Sequence, residues 1–164
     1  MDEAPGEKQE VINEMRQDGY SETVIDHWLK PRNFGQMTNY DGCSDKYTGP
    51  CGDSMWFWIR ANDDTIQEAS YVSDICIGTI TSGSMLSEMV TGLDIGSVLI
   101  ISDNDIMKAL GGLPEQYVHC AQLAKDTLGI AIRNYSSYRN APWKRLYKNT
   151  RRGDASYWNR YRGN

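Results

Sequence analysis

From Met55 to Ala61 the chain alternates, with Met55, Phe57, Ile59 and Ala61 on one side and Trp56, Trp58 and Arg60 on the other. A period of two predicts a strand with one buried face. Asn62-Asp63-Asp64 supplies a turn, and Thr65 to Ser73 reads as the returning strand of a hairpin. Upstream, Val24, Ile25, Trp28 and Leu29 follow the capping sequence Ser21-Glu22-Thr23 at helical spacing, and Pro31 ends that helix. Residues 1–19 are polar and acidic and predict a flexible segment. Residues 32–50, rich in Gly, Asn and Asp, predict loop. Downstream of the hairpin, residues 77–92 predict a helix with Ile80, Met85, Leu86 and Met89 in the core, stopped by Gly92. One or two short helices are expected over 95–110. Gly111-Gly112-Leu113-Pro114 breaks the chain, and a last helix runs from about Cys120 to Tyr135. Strands followed by helices make an α+β domain.

Composition narrows the picture. A chain of 164 residues suits one compact domain with a tail. No run approaches the roughly 18 consecutive apolar residues of a membrane helix. The acidic start Met1-Asp2-Glu3 resembles neither a signal nor a transit peptide, so a cytoplasmic location is expected. Thiols there stay reduced, so Cys43, Cys51, Cys76 and Cys120 read as metal ligands or nucleophiles before disulfides. The net charge of −5 hides an asymmetry: residues 136–164 carry eight Lys/Arg and one acid, while the first 135 carry nine basic and 21 acidic residues.

No Cys-x-x-Cys pair is present, which weakens zinc-ribbon and thioredoxin readings. Cys51-Gly52-Asp53 offers a thiolate and a carboxylate in a Gly/Pro loop before a strand. Cys76 lies at a strand-to-helix junction. His119-Cys120 offers an imidazole and a thiol at a helix start, where the helix dipole favours a thiolate and so a nucleophile. Three such junctions can converge at one end of a small sheet. Spacing alone leaves open, at equal weight, that Cys76 and Cys120 are small buried core residues.

Several motifs in order point further. Tyr20-Ser21-Glu22-Thr23-Val24-Ile25-Asp26-His27 followed by Lys30-Pro31-Arg32-Asn33, the loop Gly49-Pro50-Cys51-Gly52-Asp53, Ser82 and Ser84 after Cys76, and Gly111-Gly112-Leu113-Pro114 with His119-Cys120 and Leu123-Ala124 resemble the IscU and NifU N-terminal scaffold family. The likeness covers about residues 20–135, leaving 1–19 as an acidic N-terminal segment and 136–164 as a basic aromatic extension. It implies an IscU-like fold, a small antiparallel sheet of about three strands with helices on one face. It also implies a scaffold rather than a turnover enzyme, on which [2Fe-2S] clusters are assembled and then transferred. Cys51, Cys76 and Cys120 would be thiolate ligands, Asp53 the weak oxygen ligand, and His119 an alternative or exchanging ligand. Cys120 would also accept persulfide sulfur. Thiolates suit iron–sulfur clusters, and a carboxylate ligand should leave more easily. Implied partners are a cysteine desulfurase, a ferredoxin-like electron donor and apo iron–sulfur acceptor proteins, with room for a homodimer sharing one cluster. The alternative is a zinc-binding sulfur acceptor of the same fold, since zinc suits a tetrahedral S/N/O set.

The chain departs from the family in four places. Ile75 and Ile77 flank Cys76 where glycines are usual, suggesting an apolar cover that slows cluster loss. Leu113-Pro114 continues as Glu115-Gln116-Tyr117 instead of Pro-Val-Lys, so no specialised Hsp70 partner is expected. The insertion of SufU-type sulfur acceptors is absent and His119 is present, favouring the scaffold. The tail adds Tyr138, Trp143, Tyr147, Tyr157, Trp158 and Tyr161 among its basic residues. Without an RNA-binding motif and beside an acidic body, it is not expected to bind nucleic acid; it is expected to pack on its own body or a partner, with arginines over the outward Trp56 and Trp58. Cys43 reads as a bystander thiol, and His27 as a helix-surface or packing residue.

Overall fold

The computed structural model describes residues 5–143, apart from the Pro5 side chain. Its elements are α1 (Pro5–Gln17), α2 (Glu22–Leu29), β1 (Gly42–Cys43), β2 (Tyr47–Thr48), β3 (Ser54–Asn62), β4 (Thr65–Ser73), α3 (Ile77–Val90), α4 (Ile95–Leu99), α5 (Asp103–Ala109), a 3-10 turn (Glu115–Tyr117) and α6 (Val118–Asn140). The α+β class expected from the pattern is the one found. Three details differ. The segment read as flexible contains α1. The loop over 32–50 contains two short strands. The last helix extends five residues past Tyr135.

The hairpin is the centre of a four-stranded antiparallel sheet. β3 pairs along its length with β4, from Met55↔Ser73 to Asn62↔Thr65. Its other edge is shared: β1 pairs with Trp58 and Ile59, and β2 with Ser54 and Met55. Asp63 and Asp64 make the two-residue turn with positive φ of 48° and 60°, the backbone twist that matches adjoining strands. The far end of α6 grips this turn: Asp64 pairs with Arg139 and accepts a hydrogen bond from the Tyr135 hydroxyl at 3.1 Å.

Met55, Phe57 and Ile59 are fully buried and join one apolar cluster with Leu86 and Val90 of α3 and Leu123, Leu128 and Ile132 of α6. Tyr71 of β4 lies in the same cluster and donates its hydroxyl to the Ile80 carbonyl at 2.7 Å. Gly83 makes this fit possible, because a Cβ there would collide with the Tyr71 ring. The other side of β3 was expected to face outward, yet Trp56 and Trp58 are only 8% and 1% exposed. Lys46 sits over the Trp56 ring at 5.4 Å. The expected tail arginines, from position 144 onward, lie outside the described residues. No helix among the described residues is long and apolar enough to cross a membrane.

α2 docks on α3 through polar contacts. His27 is buried, with Nδ1 2.7 Å from Ser84 Oγ and Nε2 3.6 Å from Glu88. Ser84 Oγ also accepts the Arg32 backbone N–H at 2.8 Å. Burial, and then the Arg32 guanidinium, holds the imidazole below its ordinary pKa despite Glu88 and Asp26. His27 is therefore neutral in the fold, while the unfolded chain protonates it near 6.5. Stability from this site is intact above that value and is lost as pH falls below it. We expect the thermal midpoint to drop between about pH 7.5 and about pH 5.5, with a shallower slope in His27→Asn. Parallel slopes in the two proteins would show that His27 is not the group responsible.

Candidate functional site

The loop after β2 closes on itself: Gly52 N–H donates to the Gly49 carbonyl at 3.0 Å, and Gly49 N–H to the Asp53 carbonyl at 2.9 Å. Gly52 takes a φ of 91°, which favours glycine. The turn leaves Cys51 exposed and sets Asp53 at the mouth of β3. At the same end of the sheet, β4 runs into α3 with Cys76 as the N-cap residue. A clamp holds the two strand ends together. Asp74 accepts the Ser54 N–H on its carboxylate at 2.7 Å, and its own N–H returns to the Ser54 carbonyl at 3.0 Å. The Asp74 carbonyl then accepts both the Cys76 N–H and the Thr79 hydroxyl at 2.9 Å.

The third contribution comes from the first turn of α6. His119 is exposed and Cys120 fully buried. Cys120 fits because residue 78 is glycine: a Cβ there would stand 2.6 Å from the Cys120 sulfur. Tyr117 packs against the same glycine, and its ring lies 6.4 Å from that of Tyr20.

All five residues expected at the site are thereby brought together. Cys51, Asp53 and His119 form one triangle, and Asp53, Cys76 and Cys120 a second. Within each, the donor atoms lie within 4.8 Å of one another. Asp53 belongs to both, and the set offers three sulfurs, one oxygen and one nitrogen. Cys43 stands apart, paired with Trp58 across β1 and β3. His27 stands apart in the contact of α2 with α3. Ile75 is 86% exposed, whereas Ile77 packs against the core.

The electrostatics correct one expectation. The helix start was expected to favour a Cys120 thiolate. Instead burial, followed by the negative charge of Cys76, Asp53 and Cys51, pushes this thiol far up. A helix N-terminus contributes only about 0.3–1 kcal/mol at an exposed site, and here desolvation and three acidic neighbours outweigh it. The arrangement concentrates acceptor groups around a point where a cation would relieve their mutual repulsion. Sequence reading gave no role to Asp74 or Gly78. Asp74 looks like an ordinary turn residue, and Gly78 like an unfavourable helix glycine, which was the one available signal.

Residues 19–141 match the family model for the NifU-like N-terminal domain. The chain belongs to this family. The matched span begins before α2 and ends one residue past α6. The NifU-like chain is 40% identical over 118 residues to the iron-sulfur cluster assembly scaffold protein IscU of Aquifex aeolicus, covering 71% of this chain and 75% of that protein. It is 37% identical over 126 residues to Escherichia coli IscU, covering 74% and 98%. Against the nitrogen fixation protein NifU of Azotobacter chroococcum it is 34% identical and spans 38% of that longer protein. In structure it is similar to a NifU-like N-terminal protein from Brucella abortus, with TM-score 0.61 and 15% identity over 75% of this chain and 98% of that one.

Gly78→Ala probes the site geometry directly. We expect weaker binding of a thiolate-seeking ion such as cobalt(II), read from its sulfur charge-transfer absorption, with helix content retained. Unchanged affinity would show that Cys120 is not confined by this glycine.

Proposed function

We propose that this chain is a scaffold for the assembly and transfer of [2Fe-2S] clusters. The observation that carries the reading is the pair of donor triangles sharing Asp53. Iron–sulfur clusters are held by thiolates, and the site offers three. The cluster is cargo: it must bind well enough to form and leave readily enough to be passed on. A fully thiolate-ligated cluster is hard to remove, so a carboxylate among the ligands serves release. The names of the curated relatives, iron-sulfur cluster assembly scaffolds, support the same assignment.

In this proposal Cys51, Asp53, Cys76 and Cys120 hold the iron, with His119 as the exchanging ligand on the exposed side. A cysteine desulfurase supplies sulfur as a persulfide. The Cys120 sulfur attacks its outer sulfur, the donor's S–S bond breaks, and the desulfurase thiolate leaves. Each sulfur so delivered then takes two electrons from a ferredoxin-like donor to become sulfide. Because Cys120 is fully buried among Asp53, Cys76 and Gly78, delivery requires local opening around it. Receipt of iron also lowers the barrier to deprotonating this thiol, since a cation offsets the acidic neighbours.

The same donor set of three sulfurs, one oxygen and one nitrogen suits zinc. A zinc-binding sulfur acceptor is therefore the second reading. Anaerobic reconstitution with iron, cysteine and a desulfurase separates the two. The scaffold should develop the visible absorption of a [2Fe-2S] cluster, and Asp53→Ala should hold that cluster longer against an apo-acceptor. A colourless wild-type protein retaining zinc would favour the second reading. Equal transfer rates would remove Asp53 from the release role.

A further inference from the structure

Among the strands, β4 pairs only with β3, so its other edge is open to the rest of the fold. In an antiparallel ladder alternate residues turn their N–H and C=O toward the partner, and the residues between turn theirs away. Tyr71 turns away from β3: its N–H donates to the Asn33 carbonyl at 3.1 Å, and its carbonyl accepts the Gly35 N–H at 2.8 Å. Ala69 lies two positions from Tyr71 in the same unbroken register, so its N–H and C=O face the same edge. Beyond the register shift at Arg60/Ala61, Ile66 faces that edge too. Its N–H donates to the Leu93 carbonyl at 2.9 Å, and its carbonyl accepts the Gly92 N–H at 2.7 Å. Ile66, Ala69 and Tyr71 are thus three outward rungs of one edge, and main chain from elsewhere in the fold fills the outer two. Among the described residues nothing pairs with the middle one.

The open rung lines a cleft of about 450 Å³, with Asn33, Met37, Gln67, Glu68, Glu88 and Thr91 around it. Ala69 is 3% exposed, and its side chain belongs to the core. Its backbone pair therefore lies below the surface, where a donor and an acceptor left unmade are costly.

We propose that this rung docks a short extended peptide of a partner protein, which pairs main chain to main chain with Ala69. Three observations select that occupant. The first is chemistry. The rung presents one N–H and one C=O side by side, which a residue of another extended chain matches with its own C=O and N–H. The same edge already takes main chain in this way on both flanks, at Phe34↔Tyr71 and Thr65↔Asp94. The second is room. Ile66 and Tyr71 are five positions apart, at most about 17 Å along the strand. The loops that fill their rungs bar a long strand, and with it the β4 edge of a second copy; a stretch of about three residues fits. The third is charge. The two carboxylates in the lining are already paired, Glu68 with Arg60 and Glu88 with Arg32 at 3.7 Å. Pairing therefore rests on the backbone, and varied peptide sequences are accepted.

The rung is remote from the donor groups. Glu88 lies twelve positions along α3 from Cys76, about 18 Å. A peptide held here leaves the metal-binding end open, and the inference does not rest on the scaffold reading.

Amide-resolved NMR of the full chain tests the rung, with acetyl-Thr-Lys-Val-Lys-Thr-amide and acetyl-Thr-Gln-Val-Gln-Thr-amide as probes. In the free chain the Ala69 amide should exchange with solvent about tenfold faster than the Tyr71 amide, which is hydrogen-bonded. Equal protection would show a rung already filled by the chain itself and overturns the proposal. Either peptide at millimolar concentration should shift the Ala69 resonance saturably and slow its exchange. A resonance that neither peptide moves would show a rung held by water alone and overturns it too. The same peptides N-methylated at every residue lack donors and should bind about tenfold more weakly. Equal binding shows that the contact is not a main-chain pair, and the proposal falls. Ala69→Pro removes the outward N–H at an edge position, and the folded variant should lose the peptide-induced shift of the Met37 amide. A retained shift counts against the proposal, and if the variant does not fold, the N-methylated peptides decide.

Discussion

The Asp74 clamp is the constraint on which the rest of the site depends. Two hydrogen bonds tie the end of β4 to the start of β3. A third and fourth tie the same residue to the first turn of α3. Asp53 precedes the clamped β3 residue and Cys76 follows Asp74 by two, so neither can drift without breaking backbone pairing. The clamp is local and partly buried, which makes its bonds costly to leave unmade. The hairpin supplies a rigid base, and the site is mounted at its open end.

Close helix packing supplies the last of the five donor groups. α3 is lined by small residues, and two of them are glycines pressed by side chains: Gly78 by Cys120 and Gly83 by Tyr71. The first contact brings a thiol into the site and the second brings a tyrosine into the core. Glycine within a helix lowers its intrinsic stability by roughly 0.5–1 kcal/mol relative to alanine. Here that cost is offset by a closer approach of sheet, α3 and α6 than any side chain would allow.

Much of this was legible in the sequence, for identifiable reasons. The hairpin announced itself because Met55 to Ala61 alternates and Asp63-Asp64 tolerates positive φ. α3 and α6 followed from helical spacing and glycine stops. The five donors were legible through motif order, not through geometry. What stayed hidden was set by distant neighbours. β1 and β2 are two residues each, too short to carry a period. The buried state of Trp56 and Trp58 depends on what covers the face, which alternation does not encode. Cys120 looked like an ionised helix-start thiol because its acidic neighbours are 44 or more positions away in the chain.

Asp53 stands at the shared corner of the two triangles, one with two exposed members and one closed by the buried Cys120. A carboxylate has two oxygens and can keep one bond while its other neighbours change. In the proposed scaffold, an ion moving between the outer and inner corners need not dissociate; it would exchange one ligand at a time around a fixed pivot. Such a path is associative. Its rate is set by the hardest single replacement and not by the combined strength of all the bonds. It also has an order: Cys51 and His119 are exposed and Cys120 is buried, so a competitor in solvent meets the first two before the third.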